Sequence, residues 1–266
     1  MERDLYADLV GWKTSSRRKP LLLRGARQTG KTFLLRQFGD REYERIVYCN
    51  FEEDPALDGF FHRDLDPHRI VTELSAYKGF DIEPERHLII FDEVQASDRG
   101  LTSLKYFQEE AAGYHVAAAG SLLGIKMSRP GSFPVGKVNF LDLHPMSFLE
   151  YLGAMGKPRY AELLLELAEP QPLPEAIHSD MVSLLRAYYF VGGMPEAVRA
   201  YAESGDVRVT RQIQNEILDS YLLDFSKHAP ATDIPKLGLI WDSIPKHLAK
   251  ENKKFMFSAV KKGARA

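Results

Sequence analysis

The chain has 266 residues, 44% of them hydrophobic and 27% charged, with a formal net charge of −2. That is ordinary globular composition, enough for one large domain or two to three small ones, and a charge near zero excludes a molecule that coats polyanions with its whole surface. The single Cys49 excludes an internal disulfide and a cysteine-based zinc centre, and the eight histidines show no paired ligand spacing. No run approaches the ~18 apolar residues of a membrane span, and the acid-bearing start MERDLYADLVGWK lacks the apolar stretch of a signal peptide, so a cytoplasmic chain without a membrane partner is expected.

Residues 4–13 predict a short helix, and Ser15 to Pro20 a polar link into a first strand, Pro20-Leu21-Leu22-Leu23-Arg24. A glycine-rich loop follows, and then Phe33, Leu34, Leu35 and Phe38 at helical spacing. Arg45 to Phe51 is rich in β-branched and aromatic residues and predicts a second strand. Residues 66–78 predict a helix. His87-Leu88-Ile89-Ile90-Phe91 is nearly all apolar, as a central strand buried on both faces must be. Leu101, Leu104, Phe107 and Ala111 fall on one helix face, His115 to Ala119 predicts a fourth strand ending at Gly120, and Lys137 to Leu143 a fifth. Strands alternating with helices imply an α/β fold, with a parallel sheet carrying helices on both faces and ligands beyond the C-terminal ends of its strands.

After about residue 145 the pattern becomes helical. Pro145-Met146-Ser147 starts a helix, and Ile213, Ile217 and Tyr221, with Leu218, Leu222 and Phe225 beside them, make an apolar stripe. Val191-Gly192-Gly193-Met194-Pro195 must turn the chain between helices.

The loop reads Gly25-Ala26-Arg27-Gln28-Thr29-Gly30-Lys31-Thr32 and fits G-x-x-x-x-G-K-[ST] at every fixed position. Glycines let the backbone wrap a phosphate with its N–H groups turned inward, and the N-terminus of the following helix adds partial positive charge. Lys31 can then reach the β- and γ-phosphates, and the Thr32 hydroxyl can bind Mg²⁺. The run Leu88 to Phe91 ends on Asp92-Glu93. Asp92 suits the Mg²⁺ shell, and Glu93 suits a general base that activates water toward the γ-phosphate, which favours hydrolysis over nucleotide storage. Ser121 closes the fourth strand at the same sheet edge, where its hydroxyl can either meet the γ-phosphate or cap the following turn. Gln95 is a weaker polar candidate. Arg99 and Arg129 are the candidates for an arginine supplied to a neighbouring subunit's site, which would make the chain a homo-oligomer, and each reads equally as a solvated surface residue.

The stretches RKPLLLRGARQTGKT, YCNFEEDP, LIIFDEVQ, SLKYF, AAGSLLG, FPVGKV, HPMSFLEYL, VGGMPEAV and VKKGARA together resemble a large bacterial and archaeal family of AAA+ ATPases, P-loop NTPases of a STAND-like clade. The C-terminal half of that family is a domain of unknown function with winged-helix and nuclease-like parts. The resemblance implies an AAA+ nucleotide-binding core over residues 1–150, a helical lid over 151–232, and the beginning of a winged helix over 233–266. It implies ATP and Mg²⁺ as ligands, Walker B roles for Asp92 and Glu93, and a sensor 1 role for Ser121. It also implies a chain that continues past Ala266, and it shows no clear lid arginine near Gly192-Gly193.

Two functions share this core. One is an ATP-driven switch or motor on nucleic acid, and the other is a slow signalling switch gating a protein partner; a third, a small-molecule kinase, needs an acceptor pocket and a lid arginine cluster, neither of which the sequence shows, and the Asp-Glu pair argues for water as acceptor. The basic segment 245–266 favours DNA: Lys246, Lys250, Lys253, Lys254, Lys261, Lys262 and Arg265 stand against one acid, Glu251. The lysines from 246 to 254 recur at three- and four-residue spacing, so one helix face is expected to present them.

Overall fold

The computed structural model describes residues 1–121, 136–169, 171–228 and 232–250. The chain divides into two compact units, Met1–Val207 and Arg208–Ala266. The first unit opens with helix α1 (Leu5–Thr14). Five strands follow, β1 (Leu21–Gly25), β2 (Arg45–Asn50), β3 (His87–Asp92), β4 (His115–Ser121) and β5 (Asn139–Leu143), interleaved with α2 (Lys31–Glu42), α3 (Pro67–Lys78) and α4 (Asp98–Glu110). The strands form one sheet in the order β2-β3-β4-β1-β5, and every pairing is parallel.

The alternation of side chains along a strand splits the core in two. Leu88 and Ile90 of β3 join Leu21, Leu23, Leu34, Leu35 and Phe38 on the side of α1 and α2. Ile89 and Phe91 join Leu22, Ile70, Leu74, Leu101, Leu104 and Phe107 on the side of α3 and α4. All six residues of β3 are buried, which is why this strand shows no apolar–polar alternation in the sequence. Cys49 lies in the second cluster, and burial pushes its thiol up to about 11.

After β5 come α5 (Phe148–Ala154), α6 (Pro158–Glu166), α7 (Glu175–Val191) and α8 (Pro195–Ser204). Ser147 caps α5 in a reciprocal capping box with Glu150. The break expected at 191–195 is present: α7 ends at Val191, Gly192 takes φ 74°, and Pro195 occupies the first turn of α8. In the second unit, α9 (Val207–His228) is followed by α10 (Ile234–Leu248), and Tyr221 stacks on Trp241 with ring centroids 5.6 Å apart. Helix α10 holds Lys246 in its last turn and ends before Lys250, so the two do not share a helical face; Lys253, Lys254, Lys261, Lys262 and Arg265 lie outside the described residues.

At the start of β4, His115 is 3% exposed and shares a 2.7 Å hydrogen bond between its Nδ1 and the Tyr43 hydroxyl. Its Nε2 has no partner among the described residues, and Trp12 and Tyr43 meet the ring edge-on. Burial, followed by the nearby charges of Arg18 and Lys13, pushes its pKa down from 6.5 to about 4. A folded-state value below the unfolded one means that this contribution to stability is present above pH 6.5 and is lost as pH falls toward 4. His115 should therefore remove roughly 2 kcal/mol of stability between about pH 7 and about pH 5. Urea melts of wild type and His115→Gln at the two pH values check this, and equal pH dependence in both would contradict it.

Candidate nucleotide-binding site

Strand β1 delivers Gly25 to the C-terminal edge of the sheet, in register with Ser121 of β4 on one side and Leu143 of β5 on the other. A Cβ at Gly25 would stand 2.3 Å from the Leu143 carbonyl oxygen, so the chain can leave the sheet here only as glycine. Gln28 takes φ 62° and Gly30 φ 90°, which curls the loop back to start α2 at Lys31. The buried Thr29 hydroxyl donates to the Ala26 carbonyl at 2.9 Å and pins the curl from inside.

The Lys31 ammonium lies within the loop, donating to the Gly25 and Ala26 carbonyls at 3.2 and 2.9 Å. Its side chain is buried, and burial lowers its pKa against the opposing pull of Glu93 and Asp92. An anion entering the loop therefore meets a cation already stripped of most of its water, where attraction is strongest.

Next along the edge, Asp92 is 2% exposed at the end of β3. Its Oδ2 accepts from the Thr32 hydroxyl at 2.7 Å and from the Tyr48 hydroxyl at 2.7 Å, and its Oδ1 accepts from the Glu93 N–H at 3.0 Å. Glu93 takes the left-handed conformation, φ 49°, as the chain leaves the strand. The Gln95 side-chain amide donates to the Glu93 carboxylate. Loop and carboxylates, read separately from the sequence, thus meet at one point.

Residues 17–152, just over half of the chain, match the family model described as an AAA domain. The chain belongs to this AAA family. Residues 182–266 match a further model, a domain of unknown function (DUF8612). Among solved structures the chain is similar to a Walker-type ATPase of Pyrococcus abyssi, at 15% identity and a TM-score of 0.54, covering 86% of this chain and 76% of that one. A likeness to AMPPCP-bound DnaA from Aquifex aeolicus, at 14% identity and a TM-score of 0.46, covers 97% of this chain and 81% of that one. At 15% identity the likeness to the Pyrococcus protein is one of fold. No curated protein matches the chain.

The AAA domain carries further groups that the sequence reading missed. Tyr48 holds Asp92 from β2, and its hydroxyl in turn accepts from the Asn50 side chain at 3.3 Å. Burial, and then the bond to Asp92, pushes the Tyr48 hydroxyl up to about 12. The signal lay in the alternation of β2, where Tyr48 and Asn50 are partly exposed and Val47 and Cys49 are buried. On the other side of the loop is a cavity of about 470 Å³, within the range of small-ligand pockets, lined in part by Arg3, Gln28, Gly30, Phe33, Pro195 and Arg199. Arg199 is an arginine close after Gly192-Gly193 that the sequence reading did not single out. It lies four residues after Pro195, one helical turn along α8 on the same face.

A tight backbone contact places α8 there. The Met146 N–H donates to the Gly193 carbonyl at 2.6 Å, and a Cβ at Gly193 would fall 2.3 Å from the Met146 carbonyl oxygen. Of the two candidate arginines for a neighbouring subunit's site, Arg99 donates to the Phe61 carbonyl of its own chain, and Arg129 lies outside the described residues. Arg27 stands 4.0 Å from Glu52. Ser121 is buried beside Gly25 at the end of β4, within the same edge.

Proposed function

We propose that the chain binds Mg-ATP in the loop from Gly25 to Thr32 and hydrolyses it to ADP and phosphate, using the cycle to drive a conformational change that acts on nucleic acid. The observation that carries this reading is the 2.7 Å bond between Thr32 and Asp92, which brings the last loop residue and the strand-end carboxylate to one point beside Glu93.

The loop amides and Lys31 hold the β- and γ-phosphates, with Ala26, Arg27, Gln28 and Thr29 supplying the loop wall. Two oxygen ligands of hard character, Thr32 Oγ1 and Asp92, fit Mg²⁺, which takes few protein ligands and fills its shell with phosphate oxygens and water. Mg²⁺ supplies neutralisation of the phosphate charge. Tyr48 keeps the Asp92 carboxylate aimed. Glu93 takes a proton from the attacking water, and Ser121 donates to the γ-phosphate or orients that water. The cavity beside Arg199 would accept the nucleoside. In this reading residues 1–150 are the nucleotide-binding core, 151–232 the helical lid and 233–266 the start of a winged helix, in a cytoplasmic protein that assembles with copies of itself. No described helix is long and apolar enough to cross a membrane.

A second reading, a slow STAND-like switch gating a protein partner, is favoured by one contact: the Gln95 amide occupies the carboxylate that would have to receive the proton.

Glu93→Gln should bind Mg-ATP as wild type does and release phosphate about 10²–10⁴-fold more slowly, because the seat is kept and the base is lost. Unchanged phosphate release would make Glu93 structural and end the hydrolysis model; no release from wild type would favour the slow switch.

For the nucleic-acid partner the support is charge segregation. Segment 245–266 carries +6 in a chain of net −2. If three to five of its cations contact phosphates, log affinity for DNA should fall against log salt with a slope of roughly −3 to −4.5, flattened by replacing Lys250, Lys253 and Lys254 with Gln. Salt-independent affinity, or no binding at low salt by fluorescence anisotropy, would leave the protein-partner switch as the better account.

A further inference from the structure

Arg3, in the segment before α1, is 8% exposed. Its guanidinium uses all three nitrogens. Nε donates to Glu150 Oε1 at 2.8 Å, Nη1 to the Thr29 carbonyl at 2.9 Å and Nη2 to the His144 carbonyl at 2.6 Å. Glu150 is equally committed. Oε1 also accepts from the Asp4 N–H at 2.9 Å, and Oε2 accepts from the Ser147 N–H at 2.9 Å. The two side chains are only 6% and 7% exposed. Removing such a pair from water is costly, and only a full set of hydrogen bonds offsets that cost.

Pairing with Glu150 needs only part of this arrangement. The bond to Thr29 is different, because Thr29 belongs to the phosphate loop. The chain has no cis peptide among the described residues, so in the planar Thr29–Gly30 peptide the N–H of Gly30 points opposite to the Thr29 carbonyl. With that carbonyl held by Arg3, the Gly30 N–H is fixed away from Arg3, alongside the amides that open α2. The cation also polarises the peptide, making its N–H a stronger donor. Through His144 and Glu150 the same guanidinium ties the loop to the turn between β5 and α5.

We propose that Arg3 is a positioning residue for the phosphate loop: it orients the Thr29–Gly30 peptide toward the nucleotide phosphates and couples that orientation to the segment 144–150. This rests on the nucleotide reading above.

The test uses the full chain and two ligands, Mg-ATP and Mg-tripolyphosphate, titrated calorimetrically. Arg3→Gln alone would strand a buried carboxylate, so the informative variant is Arg3→Gln with Glu150→Gln, which removes both charges and keeps a capping-box acceptor at position 150. Arg3→Lys keeps a cation on Glu150 but cannot span three acceptors. With folding checked by thermal melting, the double variant should lose roughly 10–100-fold in affinity for both ligands by the same factor, as partners one step removed from a bound group do. Arg3→Lys should recover part of the loss, and it alone decides the matter if the double variant does not fold. Wild-type affinity in a folded variant would overturn the proposal, since the ion pair would then be structural only. A loss confined to Mg-ATP would also overturn it, since Arg3 would then act on the nucleoside cavity. Wild type binding neither ligand would overturn the nucleotide reading itself, and this inference with it.

Discussion

A single hydrogen bond, Thr32 Oγ1 to Asp92 Oδ2 at 2.7 Å, joins the two halves of the site. Strands β1 and β3 are not neighbours; β4 lies between them. With strands spaced about 4.8 Å apart, their ends stand roughly 10 Å from each other. The first turn of α2 closes that gap by crossing over β4, whose Ala117 and Ala119 face the α2 side and take little room there. The passage of α2 over β4, the glycine exit at Gly25 and the small residues of β4 are therefore one arrangement, and the Asp92 carboxylate stands at its end.

The site is closed from the opposite direction by one backbone contact and one side-chain contact. Gly193 lies against Met146 with no space for a side chain, and Arg3 reaches the Thr29 carbonyl from the N-terminal segment. These contacts bring α8 and the stretch before α1 to the loop. The resulting wall has Arg3, already paired with Glu150, and Arg199 and Glu196 of α8 on it. On the carboxylate side Asp92 has both oxygens engaged by neutral donors, and Glu93 is held by Gln95. A cation arriving with its nucleotide would find acidic oxygens already aimed.

Much of the core was legible in the sequence because its signals are local. The loop motif, the buried run ending in Asp92-Glu93 and the glycine–proline break at 191–195 each lie within a few residues, and each corresponds to the element expected. Strand ends shifted by one or two residues; β4, for example, continues through Gly120 to Ser121. What was not legible is non-local. Arg3 acts across 26 residues to Thr29 and 147 to Glu150, and no periodicity encodes such a pairing. Arg199 carries no local signal; it lines the cavity because Gly193 docks on Met146. The helix start at Ser147 was read from the sequence, but the double use of Glu150, in the capping box and against Arg3, was not. Lys246 and Lys250 fail to share a helix face because α10 ends at Leu248, and boundaries of this kind are set by tertiary context more than by spacing.

The central claim is that the loop around Lys31 is the seat of a nucleotide triphosphate. Equilibrium binding of a fluorescent ATP analogue to wild type and to Lys31→Ala tests it most directly. The account predicts Mg²⁺-dependent binding by wild type that Lys31→Ala abolishes or strongly weakens, since it removes the cation within the loop. Equal affinity in the two proteins would contradict it.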